Sequence, residues 1–259
     1  METTIEKLHK TLKNIMKEVH DFCEKNHIDY YLAWGSLLGA VRHNDMIPWD
    51  DDLDIIMTRE NHEKFCELWK KDPPKNLFLQ NITTDKDVFF LYSKIRLNET
   101  TFEEKQTKRL NLHKGIFIDI FILDNLPKNE KKHKRFIKKR KILNRIYSNH
   151  ILFKSTKNIK GFICQFIPKN LILKLCEKMI YKENSNKIFD SCCWSGYPKV
   201  AYEASWFENK KLVKFGEYEF YIPSGYDSIL KNNFGNYMQL PPKEKQIPGH
   251  NEYIDFGKN

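Results

Sequence analysis

The chain has 259 residues, of which 41% are hydrophobic, 30% charged and 14% aromatic; this excludes a disordered polymer and suits one globular domain, 1–259, or a core domain with a large insertion. No apolar run is long enough to span a bilayer, and the opening Met1-Glu2-Thr3-Thr4-Ile5-Glu6 lacks the basic and apolar parts of a secretory leader, so the sequence predicts a cytoplasmic protein. The net charge of +10 calls for an anionic partner: nucleic acid, a phospholipid surface or a phosphorylated substrate.

In chain order, Ile5, Leu8, Leu12, Ile15, Met16, Val19, Phe22 and Cys23 recur at the helical period behind a capping box at Thr3 and Glu6. Tyr30 to Trp34 reads as a short strand, and Gly35-Ser36 then opens a turn into the short helix Leu37 to Arg42. Leu53 to Met57 is a predicted strand, followed by a helix from Arg59 to about Lys71 with Thr58 as its N-cap. Further strands are expected at Leu77–Ile82, Val88–Leu97 and Ile116–Ile122. Helices fill 129–181, interrupted at Pro168, and two short strands around Gly216-Glu217 precede a helix over 224–233. Strands and helices intermingle, which predicts an α/β (α+β) fold with a mixed sheet flanked by helices.

The six cysteines form no C-x-x-C pair, so neither disulfides nor a zinc site are expected. Between Lys128 and Lys160 the sole acid is Glu130 among many lysines and arginines. This basic helical insertion, 128–196, has two readings: its apolar faces pack on the core, or they attach the chain to an anionic membrane surface. Aromatic platforms and known nucleic-acid motifs are missing from the basic stretch, so nucleic acid is not an expected partner, and a non-enzymatic nucleic-acid-binding protein ranks as the remoter alternative.

The densest chemical signal is Asp50-Asp51-Asp52-Leu53-Asp54. Strand alternation puts Asp52 and Asp54 on one face, and two carboxylates so close need a cation or a shared proton. Mg²⁺ suits such oxygens, with Mn²⁺ as a substitute. Asp119 is a lone carboxylate in the apolar run Ile116 to Ile122, so it is expected to meet an ion or a donor, and becomes the third metal ligand. Gly35-Ser36 at a helix start offers N–H groups and a hydroxyl to a phosphate. Gly-Ser, then Asp-x-Asp, then a later Asp is the pattern of the nucleotidyltransferase fold.

Over Gly35 to Ile55 the chain resembles the LicD family, which includes bacterial phosphocholine transferases and is similar to the catalytic domain of fukutin-related protein. Supporting stretches are Tyr92 to Arg96 with Thr100-Thr101-Phe102, Gly115 to Phe121 through Asp124 and Pro127, and Phe234 to Met238 with Leu240-Pro241-Pro242 and His250. The chain departs from the pattern at Gln246, where a basic residue is expected; Lys243 and Lys245 are near. The resemblance implies transfer of phosphocholine or a related substituted phosphate from a CDP-linked donor such as CDP-choline to a glycan or glycolipid hydroxyl, as in lipopolysaccharide, teichoic acid or capsule modification, with release of CMP. It places the chain in the cytoplasm or peripherally at the inner membrane surface. Asp52, Asp54 and Asp119 would hold the metal. Arg42, Lys94 and Arg96 are candidates for donor phosphates, with Gly35, Ser36, Tyr237 and His250 as further substrate contacts. Asp51 or Asp119 would take the acceptor's proton. Trp34, Trp49, Trp194, Trp206 and Tyr237 are available to cage a quaternary ammonium. The nearest rival activity is transfer of a nucleoside monophosphate to a small molecule.

Overall fold

Thr3 and Glu6 start the first helix reciprocally: Thr3 N–H donates to Glu6 Oε2 at 2.7 Å, and the Thr3 hydroxyl accepts from Glu6 N–H at 3.3 Å. The computed structural model describes residues 3–193, 195–196, 198–248 and 253–257. Helix α1 (Thr4–Asn26) buries its Leu8, Leu12, Ile15, Met16 and Val19 stripe and stops where His27 takes a left-handed φ of 52°. Then follow β1 (Tyr31–Leu32), α2 (Trp34–His43), β2 (Asp54–Thr58), α3 (Arg59–Lys71), β3 (Leu77–Gln80), β4 (Ser93–Leu97), β5 (Thr101–Glu103) and β6 (Phe117–Asn125). Helices α4 (His133–Thr156), α5 (Ile159–Cys164) and α6 (Lys169–Glu177) come next. The chain continues through β7 (Lys187–Asp190), β8 (Ala201–Glu203), β9 (Lys210–Phe215), β10 (Tyr218–Pro223), α7 (Tyr226–Phe234) and β11 (Tyr253–Asp255).

The central sheet runs β1-β2-β6-β4-β3, with β7 joined to the far end of β6 and β8 to β7. β6 is its axis, an apolar strand with eight of nine residues buried. Of its pairings, that with β2 is parallel and those with β4 and β7 are antiparallel. This is the expected mixed sheet flanked by helices, and the lysine- and arginine-rich region is helical as read from its sequence.

Several elements differ in extent from the sequence reading. The predicted strand 88–97 keeps its strand geometry over Ser93–Leu97 alone. Residues 88–92 are held by α4 instead: the Tyr147 hydroxyl donates to Val88 O at 2.9 Å and the Ser148 hydroxyl to Phe89 O at 2.6 Å. β2 begins at Asp54, although Leu53 O still accepts Asp119 N–H at 2.9 Å. Strands β5, β7, β8 and β11 were not anticipated; each has three or four residues, too few to show a period.

α4 and α6 turn their inward sides onto a satellite core of Leu110, Tyr147, Ile151, Ile172 and Cys176. α3 is tied to the sheet by charge as well as by Phe65 and Trp69. Arg59, in its first turn, grips Asp124 of β6 through Nε–Oδ1 at 2.8 Å and a terminal nitrogen to Oδ2 at 2.7 Å. The Asp124 side chain is only 1% exposed, so Arg59→Ala would strand a buried carboxylate and lower the unfolding free energy by about 3 kcal/mol. Urea denaturation should show the midpoint falling with an unchanged slope.

Candidate active site

Strand register builds the site. Asp54 of β2 lies opposite Asp119 of β6, and Asp119 lies opposite Lys94 of β4. Three adjacent strands thereby set an acid, an acid and a base side by side on one face of the sheet. Asp52, just before β2, joins them in lining a cavity of about 430 Å³. The other walls are Trp34, Phe89, Tyr92, Phe102, Phe117 and Phe121, with Glu104 and Gln106 at the edge. Asp52 falls outside the strand, so strand alternation does not set its direction, and the irregular segment before β2 brings it to the cavity that Asp54 lines.

The electrostatics follow from burial. The Asp54 carboxyl is pushed well above the usual range, first by loss of solvent and then by Asp52, Asp119 and Asp50, with Lys94 opposing. Asp119 is raised for the same first reason, and Lys94 moderates the effect. The Lys94 ammonium lies 2.9 Å from Asp119 Oδ1 and 3.4 Å from the centre of the Phe117 ring. Asp119 Oδ1 is buried, with this ammonium as its counter-charge. Several carboxylates gathered beside the Lys94 ammonium supply the hard oxygen ligands that suit a divalent cation.

The Gly35-Ser36 corner shapes these acids. A Cβ on Gly35 would stand 2.5 Å from Asp50 Oδ2, so glycine lets that carboxylate approach the start of α2. The buried Ser36 hydroxyl accepts the Asp54 N–H at 2.8 Å, fixing the first residue of β2. Asp50, Asp51 and Asp52 each place a carboxylate oxygen within 4.8 Å of the others, and among the described residues these are the acids brought together at metal-binding distance as a group, rather than the expected Asp52, Asp54 and Asp119.

The other anticipated residues separate into those at the cavity and those behind it. Lys94 and Trp34 line it; Arg42, Arg96, Tyr237, Trp49, Trp206 and Asp51 do not. Arg96 is buried, donating to Gln80 Oε1 and to Gly115 O, and burial brings its pKa down to about 10. Arg42 donates to Tyr237 O at 2.8 Å, while the Tyr237 hydroxyl donates to Asp227 Oδ1 at 2.8 Å. These contacts tie α2 to the segment after α7. His43 sits edge-on to Trp49. Trp34 has a left-handed φ of 46° and a buried indole N–H without an acceptor. Trp194 and His250 lie outside the described residues.

Sequence reasoning passed over Asp50, Glu104, Gln106 and the aromatic segment 89–92. Asp50 could have been found from its contiguity with Asp51 and Asp52; the others stand on short or irregular segments without a pattern. It also passed over a second cavity of about 280 Å³ between α4 and residues 89–92. Lys141, Asn144, Arg145 and Ser148 form its α4 side, and Phe89, Tyr92 and Gln106 border both cavities.

A carboxyl that holds its proton more tightly folded than unfolded costs stability once pH rises above the ordinary carboxylate range. Without divalent cations, the melting temperature should therefore fall as pH is raised from about 5 to about 8, and fall less in Asp54→Asn. Mg²⁺ should raise it more at the higher pH, where the cation replaces the proton. A thermal-shift series in which Mg²⁺ acts equally on wild type and Asp54→Asn would count against a metal at this carboxylate.

A family model described as the LicD/FKTN/FKRP nucleotidyltransferase domain matches residues 27–157, from the approach to β1 to the end of α4. The lipopolysaccharide cholinephosphotransferase LicD of Haemophilus influenzae is 29% identical over 262 aligned residues, covering 92% of each chain. The human ribitol 5-phosphate transferase FKRP is 44% identical over 46 residues, which are 18% of this chain and 9% of that protein. An uncharacterized protein of Rickettsia typhi is 44% identical over 63 residues, 24% of this chain and 20% of its own. With its acid-lined cavity inside the matched region except for Ser195, the chain belongs to the LicD/FKTN/FKRP family of nucleotidyltransferase-domain enzymes.

Proposed function

We propose that the chain transfers phosphocholine, or a related substituted phosphate, from a CDP-linked donor such as CDP-choline to a hydroxyl of a cell-surface glycan or its lipid-linked precursor, releasing CMP. The observation that carries this reading is the in-register pair Asp54 and Asp119, flanked by Asp52 and Lys94 in one cavity. The full-length similarity to a protein named lipopolysaccharide cholinephosphotransferase supports choline as the first donor to try. The aromatic walls support it too, since rings beside carboxylates suit a quaternary ammonium. Of the tryptophans considered for that task, Trp34 lines the cavity with Phe89, Tyr92, Phe102 and Phe121, whereas Trp49 and Trp206 do not.

Asp52, Asp54 and Asp119 would hold one or two divalent cations, Mg²⁺ or Mn²⁺. When bound, the metal neutralises diphosphate charge and stabilises the phosphate that leaves with CMP. The acceptor oxygen attacks the phosphorus that bears choline, the bond from that phosphorus to the CMP oxygen breaks, and the acceptor proton passes to a carboxylate. Asp51 and Asp119 are the candidates for that carboxylate, and of the two Asp119 lines the cavity. Lys94 steadies that carboxylate and offers positive charge to a phosphate oxygen. The Trp34 indole N–H is a further donor for a substrate oxygen. Gly35 and Ser36 contribute through Asp50 and Asp54, while Arg42, Arg96 and Tyr237 act from behind by holding α2, β4 and β6. A nucleotide donor and six free thiols support a cytoplasmic setting for this chemistry, at the inner membrane face where the acceptor is lipid-linked.

The test is a donor screen with CDP-choline, CDP-ethanolamine and CDP-ribitol, each with Mg²⁺ or Mn²⁺, following CMP release and the mass of the acceptor. An acceptor gaining CMP itself would select the rival nucleotidyl transfer. Asp52→Asn, Asp54→Asn and Asp119→Asn should each lower kcat/KM by about a thousandfold or more, equivalent to about 4 kcal/mol of transition-state stabilisation, with circular dichroism unchanged. Wild-type turnover in these variants would exclude the assigned roles.

A further inference from the structure

The helical region 133–177 presents a surface that the transfer chemistry does not use. α5 sits tightly on α4: a Cβ on Gly161 would meet Phe153 Cβ at 2.8 Å and Asn149 O at 2.9 Å. Gly161 and Cys164 are accordingly buried. The opposite side of α5 and its following turn carries Ile159, Phe162, Ile163 and Phe166, which are 74%, 52%, 60% and 76% exposed. At helical spacing these four fall within an arc of about 100°. Apolar side chains of that size so exposed on one face mark a contact surface. α6 leaves Leu171 and Leu175, one turn apart, exposed as well. No helix among the described residues is long and apolar enough to cross a membrane, so any contact with lipid through these elements lies in the plane of the interface.

Charge selects the occupant. From Lys128 to Lys178 the sequence has sixteen lysines and arginines against two acids, Glu130 and Glu177, an excess larger than the +10 of the whole chain. Exposed Lys157 and Lys160 border the apolar face directly. An apolar face ringed by ammonium groups complements a sheet of anionic headgroups over hydrocarbon.

We propose that α5 with its following turn is a docking surface for an anionic phospholipid bilayer. The four apolar side chains enter the headgroup boundary while the flanking lysines stay with the phosphates. The surface adjoins the site through α4. That helix turns Ser148 and Leu152 to the second cavity, and Asn149 and Phe153, one position on, to α5. A membrane-held acceptor would thus be presented on the side of the molecule where α4 borders the second cavity.

Co-sedimentation with phosphatidylcholine vesicles, with and without phosphatidylglycerol, tests this without any substrate, so its failure is separate from failure of the transfer reading. The intact chain should sediment with the phosphatidylglycerol vesicles and not with phosphatidylcholine alone. Phe162→Asp with Phe166→Asp should lower the bound fraction about tenfold or more, with circular dichroism unchanged. Lys157→Glu with Lys160→Glu, confined to exposed positions, should weaken binding in the same direction and make it less sensitive to salt. The proposal is overturned if the wild type ignores anionic vesicles or if the phenylalanine variant binds as well as wild type. It is equally overturned if sedimentation equilibrium shows a dimer that the phenylalanine change dissociates, because a second copy would then cover the face.

Discussion

Two carboxylates held side by side on neighbouring buried strands are the constraint around which this molecule is arranged. Asp54 and Asp119 are in register across a parallel pair, so neither can move away without breaking the sheet at its axis. Like charges in a place with little solvent favour protonation, and every nearby group bears on that balance. Lys94 comes from the strand on the other side of β6, its ammonium set among the Phe117, Phe90 and Tyr92 rings. Ser36 secures Asp54 by its backbone, and Gly35 clears the ground for Asp50. The apolar length of β6 supplies the rigidity, since a strand buried along nearly its whole length allows the lone acid no alternative position.

The rest of the fold serves that arrangement at increasing distance. Arg96 braces the strand start through Gly115 and Gln80, and Arg59 neutralises Asp124 farther along the same strand. Arginine is suited to both tasks because its several donors can be satisfied by fixed acceptors while its charge remains. Of the two arginines, Arg96 is a candidate for donor phosphates in the sequence; in the structure both guanidinium groups donate to acceptors within the protein.

The helical region 133–177 joins two environments. One side of α4 closes a polar and aromatic cavity next to the acids, and its neighbouring side carries α5, whose outer face is apolar. The two readings of its composition are thus divided among its helices: the inward faces of α4 and α6 pack on a satellite core, and the outward face of α5 does not.

By itself the sequence determined the amphipathic first helix, the α3 boundaries with their Thr58 cap, a strand over 54–57 behind the acidic run, and the strand that carries Asp119 among apolar residues. Each is a local property: a period, a cap, or a charge that cannot be buried without company. It was also sufficient for the family, because Gly35 to Ile55 keeps its residue types in order. Only the tertiary structure decided that Lys94 pairs with Asp119, that Arg96 and Arg42 turn to backbone carbonyls, and that residues 88–92 leave the sheet to line two cavities. Those outcomes depend on strand order and register and on acceptors distant in the chain. A side chain's partner is chosen by what the fold brings within about 3 Å of it, which no local pattern encodes.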